Sequence, residues 1–535
     1  MSRGSRILSA ILLLAWMACA PKDEWFGVTE PPRDDTLIVN NGTEPETLDP
    51  ALMNGNIEGN LAFSLFEGLT RFDPKTLDPL PGVATNWHVS ADGRTWTFHL
   101  RSDAVWSDGS PITSLDFAWS WLRLLAPTTA ARYASFLYLV ENAEAFSMGT
   151  MTNATRVGIR CPDSQTLVVT LVRPAPYFPF MTAFYVTMPV HRKSVERHGQ
   201  DWTNPENLVS NGPFVLKTWQ MHRKIELIKN ERYHGRNEVH LKRVIFLPIE
   251  DTGTVLNLYR RGDIDMLNDV PLELFSWLKT RRDYSGHPGW GVYYYKFNIN
   301  RKPFDDRRVR LALSLAINRS RLTDEFLAQG QIPATAFTPP IPDRYFPPGK
   351  AIYDPQAARK LLADAGYPEG RGFPAVRLLY NTIATDLHRH VAEVLQAMWK
   401  QELGITIQLE VQEWKTYLKS VENREFDLAR AGWVGDFPDP GTFLDLFLQA
   451  DGNNNTGWTD PEYTRHVEAA LFDKNPATRM QSFHKAELIL LDEMPVIPVF
   501  YYAFTMLKKP WVDGVFGNFQ DIHPLRSVRI RKAGS

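Results

Sequence analysis

Residues 426–443 read FDLARAGWVGDFPDPGTF. A short apolar strand over 427–433 closes on Gly432 and Trp433, and a carboxylate, Asp436, follows in a turn rich in glycine and proline. Upstream, a helical run over 386–403 ends at Gly404 and feeds a strand at 405–411; a second helical run, 414–423, feeds the quoted strand. Helix, strand, helix, strand is the order of an α/β lobe whose strands are parallel in part. Sheets of that kind take ligands beyond the carboxyl ends of their strands, and Asp436 stands just past one. A lone acid in that place suits a bound cation better than it suits catalysis.

Working outward, two further helices obey capping chemistry. Asp305 or Asp306 opens RRVRLALSLAINRSRLTDEFLAQ, expected as one helix ending at Gly330, and Asp354-Pro355 opens another that stops at Gly366. Toward the N-terminus, Thr36–Asn40, Thr95–Leu100 and 166–172 have strand composition, and Ser114–Leu125 reads as a helix. After Asn211-Gly212-Pro213, the segments 214–219 and Lys224–Lys229 form a meander of short strands. No solenoid repeat or long low-complexity segment interrupts this order.

The chain has 535 residues, and single cores rarely grow past roughly 250–300, so two or three lobes are expected. Its 59 basic and 61 acidic residues give a net charge of −2, which lacks the basic excess that nucleic-acid affinity requires. Polynucleotide partners are therefore excluded. No G-x-S-x-G, H-E-x-x-H, P-loop or EF-hand string occurs, so no catalytic residue, metal or cofactor is assigned. His191, His198, His388 and His390 lack zinc spacing, and Asp263 and Asp265 in RRGDIDM read as a turn with solvated charges.

Residues 1–20 carry Arg3 and Arg6, then an apolar run from Ile7 through Ala18, then Cys19 and Ala20, the layout of an export signal. The run is shorter than the roughly 20 apolar residues of a spanning helix, and nothing downstream approaches that length. Cleavage after Ala20 would leave Pro21 at the new terminus, whereas cleavage before Cys19 leaves a thiol for lipidation; Cys19 is the lipidation candidate, with Trp16 where such signals usually have leucine. The body is expected to be exported, in the periplasm or cell envelope, with a lipid anchor at Cys19. Residues 21–35, polar and carrying Pro31-Pro32, read as a tether, with order beginning near Thr36. With Cys161 the one other cysteine, no internal disulfide is expected after processing.

Several blocks, among them EPETLDP (44–50), LFEGL (65–69), TWTFHLRSDAVWSDGSPIT (95–113), NGPFVLKTW (211–219), RRGDIDM (260–266), RVRLALSLAINR (308–319), ARAGW (429–433) and PVIPVFYY (495–502), resemble the oligopeptide-binding family of bacterial ABC importers in order and spacing. The resemblance covers nearly everything after Thr36. It implies a periplasmic-binding-protein-like bilobal α/β clamp with an additional small third domain: domain I from 36–57, 190–290 and 504–535, domain II from 58–189, and domain III from 291–503. It also implies a monomeric receptor that captures short peptides and delivers them to a membrane permease energised by separate ATPase subunits. An envelope peptide sensor or cell-wall peptide scavenger with the same fold is the first alternative, and a peptide hydrolase the second.

Carried over residue by residue, the resemblance makes Asp436 the partner of the peptide α-ammonium, and Arg430 and His388 partners of its carboxylate. Leu327 and Val421 stand where enteric relatives have basic residues, which leaves that end less cationic. Gly432 is expected to let a peptide backbone approach closely. Trp414, Trp433, Tyr133, Tyr294 and Tyr502 match pocket-lining rings, and Asn268 and Glu44 match residues that touch the peptide. Gly291 and Val434 replace a disulfide found near the cleft in those relatives. Bland readings stand beside these: Asp436 or Asp439 capping the helix near Pro440, Arg430 in an inter-strand ion pair, His388 on a solvated helix face, and each ring in the core.

Overall fold

β-branched and aromatic residues dominate Tyr284–Phe297 and Val496–Lys508, the two longest strands, which pair antiparallel in the middle of an 11-stranded sheet. The computed structural model describes residues 24–32, 35–53, 55–268, 270, 272–341, 344–349, 352–381, 387–449 and 453–531. The export signal and the Cys19 lipidation candidate lie outside the described residues. To one side of the long pair run Met266–Asn268, Thr36–Asn40, Arg243–Leu247, Lys224–Lys229 and Phe214–Gln220; to the other run Leu428–Val434, Val376–Asn381 and Ile407–Gln412. Thr36–Asn40 pairs parallel with both neighbours, and Val376–Asn381 does the same. Each half is thus an α/β unit of the expected kind, and the two long strands belong to both.

Between the halves the ladder of the long strands lapses from Pro288 to Val292. Gly291 sits there because a Cβ at that position would press into the Tyr502 ring and the Trp433 carbonyl. Beyond it, strict alternation divides the side chains between two cores. Tyr293, Tyr295 and Phe297 pack with Leu313 and Trp399, while Val292 and Tyr294 pack with Phe337 and Phe443. A separate four-stranded antiparallel sheet, Ala84–Val89, Thr95–Leu100, Thr166–Thr170 and Ile159–Asp163, lies under the helix Ser114–Leu125. No helix among the described residues is long and apolar enough to cross a membrane.

Three expectations are corrected. The helix expected over 307–330 is the helix Arg307–Leu315 followed by a fresh start: the Asn318 side chain accepts the Arg321 N–H at 3.0 Å, and a wider-wound turn, Leu322–Leu327, ends on Ala328 at φ +52°. That break turns Arg319 inward, where its Nε donates to the Pro498 carbonyl at 2.8 Å. The tether expected over 21–35 is docked from Glu24 onward. Phe26 donates its N–H to Asp283 Oδ1 at 3.1 Å and sets its ring edge-on to Trp277 at 5.3 Å, and Val28 donates to the Arg260 carbonyl at 3.0 Å. Asp265, expected in a solvated turn, is buried: its Oδ2 accepts the Ile38 N–H at 2.7 Å and its Oδ1 the Trp511 indole N–H at 2.8 Å.

Candidate functional site

After the strand Leu428–Val434 the Gly435 N–H still donates to the Trp290 carbonyl at 2.9 Å, but Pro438 and Pro440 have no N–H with which to continue the ladder, and the turn swings Asp436 between two parts of the molecule. Asp439 takes the capping role in that turn: its Oδ1 accepts the Gly441 N–H at 2.9 Å, and Arg479 neutralises it at 2.8 Å. Asp436 is left with the Tyr133 hydroxyl, which donates to its Oδ1 at 3.5 Å, and forms no salt bridge among the described residues. Burial pushes its carboxyl up to about 6, a shift the Tyr133 hydrogen bond only partly opposes. Tyr133 is in turn raised to about 12, by burial and then by the Asp436 charge. The pair forms the wall between two cavities of about 330 Å³ each, one reaching Asn56, Asn60 and Asp521, the other reaching Arg173 and Asp445.

At the other end of the same strand, Arg430 faces Tyr293 with its guanidinium 4.7 Å from the ring centre, and its Nη2 donates to the Tyr502 hydroxyl at 3.0 Å. It forms no salt bridge among the described residues, and its buried Nε has no hydrogen-bond partner. The inter-strand ion pair considered for it is therefore absent. Gly432 lies opposite Tyr293 in register, and a Cβ there would collide with the Tyr502 hydroxyl. The glycine makes room for Tyr502. One strand therefore carries an uncompensated cation and, just past its end, an uncompensated anion.

The sequence model for bacterial extracellular solute-binding proteins, family 5, matches residues 78–455. The chain belongs to that family. It is 37% identical over 548 residues to the periplasmic oligopeptide-binding protein OppA of Salmonella typhimurium, covering 99% of this chain and 98% of that one. Among solved structures, the murein tripeptide-binding protein MppA in its unliganded open form superposes with a TM-score of 0.82 at 35% identity, covering 94% of this chain and 98% of that one. Haemophilus influenzae OppA in complex with the peptide RPPGFSPFR superposes with a TM-score of 0.77 at 35% identity, covering 94% and 100%. The bilobal α/β fold of these neighbours is the fold of this chain.

Within this family 5 protein the remaining expected residues separate. Trp433 flanks the site, its indole N–H donating to the Thr442 carbonyl at 2.7 Å and so holding the Asp436 turn. Trp414 is 46% exposed and stacked on Tyr417 at 5.7 Å. His388 is buried rather than on a solvated face; its Nδ1 lies 3.4 Å from the Tyr293 hydroxyl, and burial followed by the Arg430 charge pushes it down to about 3. Its imidazole is thus held neutral in the ligand-free protein at pH 7. Tyr294 points to the other face of the sheet, 2% exposed and edge-on to Phe337 at 4.9 Å, so it is core. Glu44 turns away to the Phe214–Gln220 hairpin, accepting from the Trp219 indole and, at 2.9 Å, from the His222 N–H. Asn268 stands one step back, donating at 3.2 Å to Asp521, which does reach the cavity.

Sequence reasoning missed several participants. Tyr177 and Phe437 stack face to face with centroids 4.1 Å apart and planes 4° from parallel, closing one cavity. Gln520 donates to the Gly435 carbonyl at 2.7 Å, and Tyr417 donates to the Arg430 carbonyl. Phe437 lies next to the residue singled out, so its aromatic character was a usable signal; Tyr177 and Gln520 come from distant segments, and nothing in their local sequence marks them.

Proposed function

We propose that this protein is the exported receptor of an ABC-type oligopeptide importer, capturing short peptides by their termini and backbone and presenting them to a membrane permease. The observation that carries the reading is the complementary pair of bare charges, Arg430 on the strand Leu428–Val434 and Asp436 just past its end. Six residues of extended chain span at most roughly 20 Å, a length suited to a short extended peptide with its ammonium at Asp436 and its carboxylate near Arg430. The names of the relatives agree, since they bind oligopeptides or murein peptides. Ligand-free, each charge is costly; joined to an opposite charge, each is repaid by a charge-assisted hydrogen bond.

In this reading Tyr133 holds the Asp436 carboxylate toward the incoming ammonium, and Tyr502 and Tyr293 hold the guanidinium. Trp414 and Trp433 flank the chain between them. Backbone pairing at Gly432, beyond the stretch already paired with Val376–Asn381, supplies sequence-independent affinity, as in other strand-adding binders. The receptor works as a monomer without cofactor, anchored through Cys19, and hydrolysis of ATP belongs to the permease complex. Calorimetry with one tetrapeptide in free-amine and N-acetylated form tests this. The free amine is expected to bind at least a hundredfold tighter, and equal affinities would refute the assignment of Asp436.

A further inference from the structure

Behind the helix Asn56–Leu65 lies a third cavity, of about 250 Å³, that the peptide reading leaves unused. Its walls are mainly apolar, with Phe63, Phe66, Phe72, Ala183 and Met188 among them, and its polar side carries two arginines, Arg71 and Arg526, and two carboxylates, Glu67 and Glu238. Phe63 is the partition: it also lines the cavity of Asp436, and its ring meets Phe72 on one side at 5.8 Å and Phe184 on the other at 6.4 Å. The two guanidiniums are not equivalent. Arg526 is saturated, with its Nε 3.1 Å from Glu238, and its Nη1 2.9 Å from the Tyr233 hydroxyl and 3.5 Å from Glu67.

Arg71 is held by its Nε alone, which donates to the Pro81 carbonyl at 3.0 Å, and it forms no salt bridge among the described residues. Burial, followed by the Arg526 charge, holds Arg71 below the usual guanidinium range, and the carboxylates of Glu67 and Glu238 do not offset them. A cavity of small-molecule size with apolar walls and one underused cation at its edge has the anatomy of a ligand site.

We propose that this cavity is a second binding site, distinct from the peptide cleft, for a small apolar monoanion: a flat or branched hydrocarbon body among the Phe63, Phe72 and Ala183 side chains, with its carboxylate on Arg71. A body of ten or so carbons fills the space. The anion gives Arg71 the ion pair that Arg526 already has in Glu67 and Glu238, which gives the site its preference for charge over a neutral molecule of the same shape.

Calorimetric titration of the folded protein with 2-naphthoate and, separately, with its uncharged isostere 2-naphthamide tests the proposal. One saturable site is expected for the acid, with the amide at least tenfold weaker. Arg71→Gln should lower affinity for the acid at least tenfold, Arg71→Lys should restore part of it, and Ala183→Leu, which extends a side chain into the cavity, should abolish binding. Asp436→Asn should leave it unchanged. No saturable binding, equal affinity for acid and amide, retention in folded Arg71→Gln protein, or loss in Asp436→Asn would each overturn the site. The last would place the probe in the peptide cleft.

Discussion

A carboxylate taken out of water with only a tyrosine hydroxyl 3.5 Å away binds its proton more tightly, and Asp436 rises from the usual carboxylate range to about 6 for that reason. Because the folded state holds this proton better than the unfolded state does, the stabilisation is present at low pH and is lost as pH rises from about 4 to about 6. Replacing the acid with its neutral isostere removes the penalty. Asp436→Asn is therefore expected to stabilise the ligand-free protein at pH 7 by about 2–3 kcal/mol and by almost nothing at pH 4, read as urea midpoints at the two pH values. An equal shift at both would show that burial of the charge is not its source. Binding moves the opposite way: Asp436→Ala should weaken a free-amine peptide by about 3–5 kcal/mol, and wild-type affinity should fall roughly tenfold between pH 7 and pH 5 as the carboxylate protonates. The acid itself was legible in the sequence because a lone carboxylate just past a strand has few structural uses. His388 was not, since a helical histidine looks the same whether its face meets water or, as here, packs beside Tyr293 in a place where burial and then the Arg430 charge lower its proton affinity.

Along the strand Leu428–Val434, the alternation of small and large residues does more than mark it as strand. Gly432 leaves the space that the Tyr502 hydroxyl occupies on its way to Arg430. Gly432→Ala is expected to push Tyr502 off the guanidinium and cost about 1–3 kcal/mol of peptide affinity through overpacking. Tyr502→Phe alone should cost less, and the double variant should recover most of the loss because the colliding oxygen is gone. Additive losses in that cycle would mean that the glycine serves some purpose other than fitting Tyr502. Elements of this kind were read from sequence nearly to the residue, since period and caps are local: Thr36–Asn40, Lys224–Lys229 and Ser114–Leu125 stand as expected. The failures were tertiary. Arg319 is drawn to the Pro498 carbonyl and breaks a helix that propensity would continue, and Phe26 docks a segment whose average composition is that of a tether.

At the scale of the molecule, the seam between lobes was invisible to composition because it is no linker: two long strands cross it inside one sheet, and only their ladder lapses between Pro288 and Val292. The contacts that bridge the cleft come from far apart in the chain, with Tyr177 stacked on Phe437, Tyr133 on Asp436, and Gln520 on the Gly435 carbonyl. These contacts tie the two sides of the cleft together, and if the clamp opens they must break. A parallel ring pair adds about 0.5–1.5 kcal/mol beyond its buried area, enough to bias a hinge whose states differ by a few kcal/mol. Phe437→Ala should shift the ligand-free population toward the open form, raising the radius of gyration in small-angle scattering, and should weaken peptide binding about tenfold because closure must then be driven by the ligand. Saturating peptide should return the variant to the compact wild-type radius. Phe437→Tyr, which keeps the stack, should behave as wild type. If Phe437→Ala left both the ligand-free radius and the affinity unchanged, the stack would be a passive contact, and the energy of closure would have to reside in the ligand alone.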